Sequence, residues 1–155
     1  MAVRRARPED VPAVVSLVRE LASYEREPDS AIATEEHFRE ALFGTDPKVF
    51  CHIAEDDEDN VVGFAVWFLN FSTWLGTHGI YLEDLFVRPN ARGGGHGRAL
   101  LSELARIAVD NGYGRMDWAV LDWNEPAQGF YASLGAQPQD EWTGWRLTDD
   151  ALKAL

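Results

Sequence analysis

The segment EDLFVRPNARGGGHGRALLSELA, which begins at Glu83, joins an apolar run to an amphipathic one through Gly93, Gly94, Gly95 and Gly97. Pro89 and Asn90 stop the first run as a strand. Beyond the glycines, Leu100, Leu101, Leu104, Ile107 and Ala108 recur at helical spacing, with Arg98, Glu103, Arg106 and Asp110 turned away. A strand, a glycine loop and a helix in direct succession demand an α/β arrangement in which the helix packs back on a sheet. Glycines at that junction remove Cβ atoms where a ligand approaches main-chain N–H groups, and the helix start adds partial positive charge. The loop therefore suits an anion, although glycines alone also make ordinary tight turns. A Walker loop is excluded because Arg98 stands where its second glycine belongs and no Lys-Ser pair follows. A Rossmann fingerprint from Gly93 fails at the same Arg98.

The rest of the chain supplies the sheet. AVRRA followed by Pro8, Glu9 and Asp10 predicts a short strand ending at a helix start. Val11, Val14, Val15, Val18, Leu21 and Ala22 predict an amphipathic helix to about Tyr24. A second short helix is expected between Thr34 as N-cap and Gly44 as terminator. KVFCHIAE and VVGFAVWFLN read as a hairpin around the charged turn DDEDN. RMDWAVLDW reads as a further strand, Asn124 as the cap of a helix closed by Gly135, and EWTGWRL as a last strand. The expectation is one domain over residues 1–155: α/β, with a mixed, mostly antiparallel twisted sheet of six to seven strands flanked by helices.

Charge narrows the partners. Fourteen Lys and Arg against twenty-six Asp and Glu leave a formal net charge of -12. Such a surface repels nucleic acid and anionic membranes and attracts cations, while also serving plain solubility. Cys51 is the only cysteine, so no intrachain disulfide can form, and a reducing, cytoplasmic setting is expected. No apolar stretch is long enough to span a bilayer. His37, His52, His78 and His96 lack metal-ligand spacing, and no metal is expected.

The pattern Arg92-Gly93-Gly94-Gly95-His96-Gly97 resembles the acetyl-CoA loop of the GCN5-related N-acetyltransferase (GNAT) superfamily. LASYE, VVGFAVWF, YLEDLFV, WNEPAQGFYASLGA and GWRL follow the order and rough spacing of its diamine (spermidine/spermine) N-acetyltransferase branch, from Arg7 to Leu147. The resemblance implies a GNAT fold and acetyl-CoA as co-substrate. Leu85, Phe86 and Val87 would offer strand backbone to the pantetheine arm. Gly93, Gly94, Gly95, His96, Gly97 and Arg98 would take the pyrophosphate, with Arg92 adding charge. Asn124 would hold the pantetheine amide, with Glu125, Pro126 and Ala127 on the same wall.

For catalysis the resemblance implies Tyr131 as the acid that protonates the departing thiolate. Glu83 is the candidate base, acting through water. Tyr24, Glu25, Glu83, Asp84, Asp117, Trp118 and Ala119 would receive a small cationic amine, since carboxylates and aromatic rings suit a polycation. Trp74 and Trp123 are further aromatic candidates. Neighbours on a regular strand point to opposite faces, so Glu83 and Asp84 can share one pocket only if a bulge intervenes, as the family pattern implies.

Two departures weaken the match to long polyamines. Ser133 and Leu134 stand where that branch carries basic residues, and Thr143 stands where it has an acid. Short diamines and thialysine-like amino acids are therefore better candidates. The resemblance also implies a homodimer. Two alternatives stay open: a non-catalytic coenzyme A-binding or sensor module, and a peptide or protein N-acetyltransferase.

Overall fold

A computed structural model describes residues 1–155. The chain forms two compact units, Met1–Ala119 and Val120–Leu155.

The first unit carries a sheet in the order β1-β2-β3-β4-β5, formed by Ala2–Arg5, Phe50–Glu55, Val61–Ser72, Thr77–Val87 and Met116–Asp117. The first four strands are antiparallel and β5 joins β4 in parallel, so the sheet is mixed. Its helices are α1 (Val11–Tyr24), α2 (Glu35–Phe43) and α3 (His96–Asp110). Side-chain alternation assigns the faces. Cys51 and Ile53 of β2, Phe64 and Val66 of β3, and Phe86 of β4 join Val14, Leu17 and Leu21 of α1 and Leu42 of α2 in one core. His52 lies between Cys51 and Ile53 in β2 and feels the charges of Glu103 and Arg106, which places α3 on the other face. There the Trp67 indole N–H donates to His52 Nδ1 at 3.1 Å.

Local chemistry sets the element ends. The Thr34 hydroxyl accepts from the His37 N–H at 3.2 Å at the start of α2, and Gly44 closes that helix with its N–H on Glu40 O at 3.0 Å. A half-buried ion-pair group joins Arg4 of β1 to Asp10, at 2.8 and 3.0 Å, and to Glu55 of β2. Arg88, just past β4, forks onto Glu20 of α1 with contacts of 3.0 to 3.2 Å. That fork ties the end of β4 to α1 at the point where the glycine loop begins.

The second unit contains α4 (Glu125–Ser133) and the short α5 (Asp149–Lys153). Asn124 is buried and caps α4, accepting from the Ala127 N–H at 3.3 Å. Gly135 takes a φ of 91° just beyond the helix, the left-handed conformation that glycine adopts at little cost.

Two expected strands are corrected, and the sheet has five strands rather than six or seven. RMDWAVLDW pairs only at Ile80↔Met116 and Tyr81↔Asp117, so its ladder ends after two residues. EWTGWRL forms none. Trp and Thr favour strands in general, but a strand persists only where a neighbour takes its backbone groups and a surface buries its side chains. Trp142 and Trp145 are 78% and 95% exposed, and so have no such surface.

Candidate acetyl-transfer site

The register of β3 against β4 slips by one residue at the site. Val66 faces Asp84 and Trp67 faces Leu82, which leaves Glu83 as the extra residue of a bulge. One inserted residue reverses the alternation. Asp84 shares the face of Val66, in the α1 and α2 core, while Leu82 shares the face of Trp67. The required bulge is therefore present, with Glu83 exposed and Asp84 half-buried beside it.

This bulge lies close to the end of α1. Burial, and after it the negative charges of Glu83 and Glu25, together push the Asp84 carboxyl up to about 6. Glu25 is the C-cap of α1, with its N–H on Leu21 O at 2.8 Å, and burial raises its own carboxyl as well. Three carboxylates thus act on one spot without a cation among the causes. Tyr24, the last residue of α1, sets its ring 6.3 Å from that of Phe86 on β4. A groove of about 520 Å³ runs along this side of α1, lined among others by Ser16, Arg19, Ser23, Tyr24, Phe86 and Pro89.

The glycine loop opens directly from β4. Gly93 and Gly95 have φ of 86° and 84°, where any other residue is strained, and no atom lies within 4 Å of a Cβ built on Gly93. Gly95 is the N-cap of α3 and supplies no side-chain acceptor, so the first-turn N–H groups of a fifteen-residue helix meet no cap. A bare, open loop ahead of uncapped N–H groups fits a diphosphate. His96 is buried, at 8% exposed, and its Nδ1 has no partner. A Cβ on Gly94 would meet its ring at 3.3 Å, a tight contact that the ring would have to shift to accept.

The remaining site residues separate by unit. Leu85 and Val87 are half-buried on β4, flanking the buried Phe86; Gly97 is half-buried, and Arg98 is exposed. Asp117 of β5 accepts from Arg115 at 3.2 Å and from Asn70 at 3.4 Å, so its carboxylate is already engaged. Trp118 is half-buried and Ala119 exposed, both just past β5. Trp74 is 89% exposed, which removes it from any core. In the second unit, Glu125, Pro126 and Ala127 form the first turn of α4, and Tyr131 lies farther along it, half-buried, with its ring 5.4 Å from that of Phe130.

Two further groups bear on the chemistry. Cys51 is buried and its thiol is pushed up to about 12, which suits core packing and not attack. No group of three or more His, Cys, Asp or Glu residues is placed to hold a metal ion. No helix is long and apolar enough to cross a membrane.

The sequence reading missed one contact. Arg92 folds back from the loop, its guanidinium carbon 5.0 Å above the Tyr24 ring and 5.5 Å above that of Phe86. No sequence signal marks that contact, because Tyr24 and Arg92 meet only through the tertiary fold.

Residues 14–136 match the profile described as the acetyltransferase (GNAT) family. The chain is similar to the thialysine N-epsilon-acetyltransferase of Bos taurus, at 37% identity over 99% of this chain and 95% of that protein. It is also similar to the L-ornithine N5-acetyltransferase NATA1 of Arabidopsis thaliana, at 32% identity over 99% of this chain and 86% of that protein. Among solved structures, an integron cassette protein from V. cholerae superposes with a TM-score of 0.81 at 30% identity, covering 99% of this chain and 95% of the other.

Proposed function

The chain belongs to the acetyltransferase (GNAT) family, and from that premise we propose that it transfers an acetyl group from acetyl-CoA to a primary amine of a small cationic molecule. The acceptor class is that of short diamines, polyamines and thialysine-like amino acids. The observation that carries this reading is the group of Glu25, Glu83 and Asp84 at the bulge, directly upstream of the glycine loop. The family profile runs through both compact units, which supports one acetyltransferase domain.

Each residue has a physical task. The backbone of Leu85, Phe86 and Val87 would pair with the pantetheine arm, and the N–H groups from Gly93 to Arg98 would hold the diphosphate. Asn124 and the first turn of α4 would bind the pantetheine amide. Bound acetyl-CoA supplies the activated acetyl thioester. An alkyl ammonium with a pKa of about 10.4 is almost wholly protonated at neutral pH and cannot attack, so a proton must leave first. Glu83, exposed at the bulge, would take that proton through water. Asp84 and Glu25 would hold the rest of the cation by charge, and Tyr24 by its π face. Tyr131 would give its phenolic proton to the departing sulfur. The amine attacks the thioester directly in a ternary complex, with no acyl-enzyme. A homodimer in the cytoplasm is the assembly and setting that the same reading implies.

The test is coenzyme A release from acetyl-CoA against thialysine, L-ornithine, putrescine, spermidine and a lysine-rich peptide. Release with the small amines is expected. Release with the peptide alone would transfer the reading to protein acetylation, and coenzyme binding without release for any acceptor would leave a sensor module.

A further inference from the structure

A second concavity lies under α2 and shares no residue with the groove beside α1. Its volume is about 220 Å³, and Ala33, Phe38, Ala41, Leu42, Val49 and Val66 form its wall. The one polar side chain there is that of His37, whose Nδ1 already accepts from the Thr34 N–H at 3.0 Å. Such a wall offers a charged tail no counterion and rewards burial of an apolar one. The sheet fixes what stands beside it. Cys51, Val66 and Asp84 lie opposite one another across β2, β3 and β4, on the side that carries α1 and α2. The charge of Asp84 reaches the Cys51 thiol along that row, with Val66 between them. Val66 therefore both lines the pocket and adjoins Asp84. A carboxylate group on one side and an apolar hollow on the other match a ligand with one ammonium and one apolar group.

We propose that this pocket is a subsite for the ring of an arylalkylamine, so that the chain also acetylates monoamines of the 2-phenylethylamine class, an inference that rests on the acetyl-transfer reading above. Size admits the ring, since an apolar cavity of about 150 Å³ is enough to hold benzene. Reach selects the arm. Side chains opposite each other on paired strands stand about 5 Å apart, a gap that a two-carbon arm bridges. The ammonium is held by Asp84 and Glu25 while the ring lies against Val66 and Phe38. In the reaction the amine nitrogen bonds to the acetyl carbon and the C–S bond breaks. The ammonium gives up two protons in all: one leaves to water through Glu83, and the other is balanced by the proton that the coenzyme sulfur takes up. A polyamine gains nothing from the pocket, because its second charge would have to enter an apolar wall.

Initial rates of coenzyme A release from acetyl-CoA test this on the full chain, with 2-phenylethylamine, ethylamine and thialysine as acceptors. Burial of the ring is expected to give 2-phenylethylamine a kcat/KM about tenfold or more above that of ethylamine. Ala41 is exposed at the pocket's rim on α2, and Leu is nearly as good a helix former, so Ala41→Leu narrows the hollow at little cost to the helix. The variant is expected to lower the ratio of kcat/KM for 2-phenylethylamine to that for thialysine by about tenfold. Equal kcat/KM for 2-phenylethylamine and ethylamine in the unaltered chain would overturn the proposal, and that comparison needs no variant to fold. An unchanged ratio in folded Ala41→Leu would overturn it as well. If thialysine is acetylated and 2-phenylethylamine is not, only the aryl subsite falls. If none of these amines, nor ornithine or a diamine, is acetylated, the underlying acetyl-transfer reading falls with it.

Discussion

At the scale of the residue, Asp84 and Tyr131 carry the sharpest consequences. Asp84 titrates at about 6 in the fold because burial and two neighbouring carboxylates oppose its charge. Its ordinary value is about 3.9, so between roughly pH 4 and 6 the folded chain binds more protons there than the unfolded chain. Its contribution to stability therefore falls as pH rises through that window, while its use to a cationic amine grows. The KM for thialysine should drop as pH climbs from 5 to 7. Asp84→Asn should flatten that dependence and raise the melting temperature at pH 8 relative to the unaltered chain. Tyr131→Phe removes a proton donor without removing the ring. It should lower kcat by about a hundredfold and leave coenzyme affinity nearly unchanged, as rapid-quench and binding measurements can show. The residue types at these positions were legible in the sequence. The stacking of Arg92 on Tyr24 was not, because it depends on two segments far apart in the chain meeting in space.

At the scale of the element, the bulge and the glycine loop do the positioning. The alternation rule gave two outcomes for Glu83 and Asp84, and only the register of β3 against β4 decides between them. Helix ends were readable because caps are local: Thr34, Gly44 and Asn124 each act within a few residues of their own position. The closing strand was misread for the opposite reason. Pairing is a non-local property, and EWTGWRL has strand-forming side chains but no ladder partner. The loop makes its own prediction. Gly95 holds a φ of 84° at the N-cap of α3, so Gly95→Val costs about 1–2 kcal/mol of backbone strain and places a side chain at the proposed diphosphate cradle. A raised Kd for acetyl-CoA with a smaller loss of melting temperature is the expected result.

At the scale of the whole molecule, the sheet and its flanking helices bring the end of α1, the bulge and the glycine loop to the same end of β4. The order of elements was readable throughout the first unit. The net charge of -12 acts over longer distances than any one contact. It should speed the encounter with cations, and the gain should shrink with added salt. Steady-state kcat/KM is expected to fall with ionic strength more steeply for spermidine than for thialysine, since spermidine carries more positive charge. The central claim is acetyl transfer to the amine of a small cation, and identifying the product of acetyl-CoA and thialysine by mass spectrometry tests it most directly. The account predicts thialysine bearing a single acetyl group on its side-chain amine, formed in step with free coenzyme A. Unmodified thialysine, ornithine and diamines after prolonged incubation with folded, coenzyme-binding protein would contradict it.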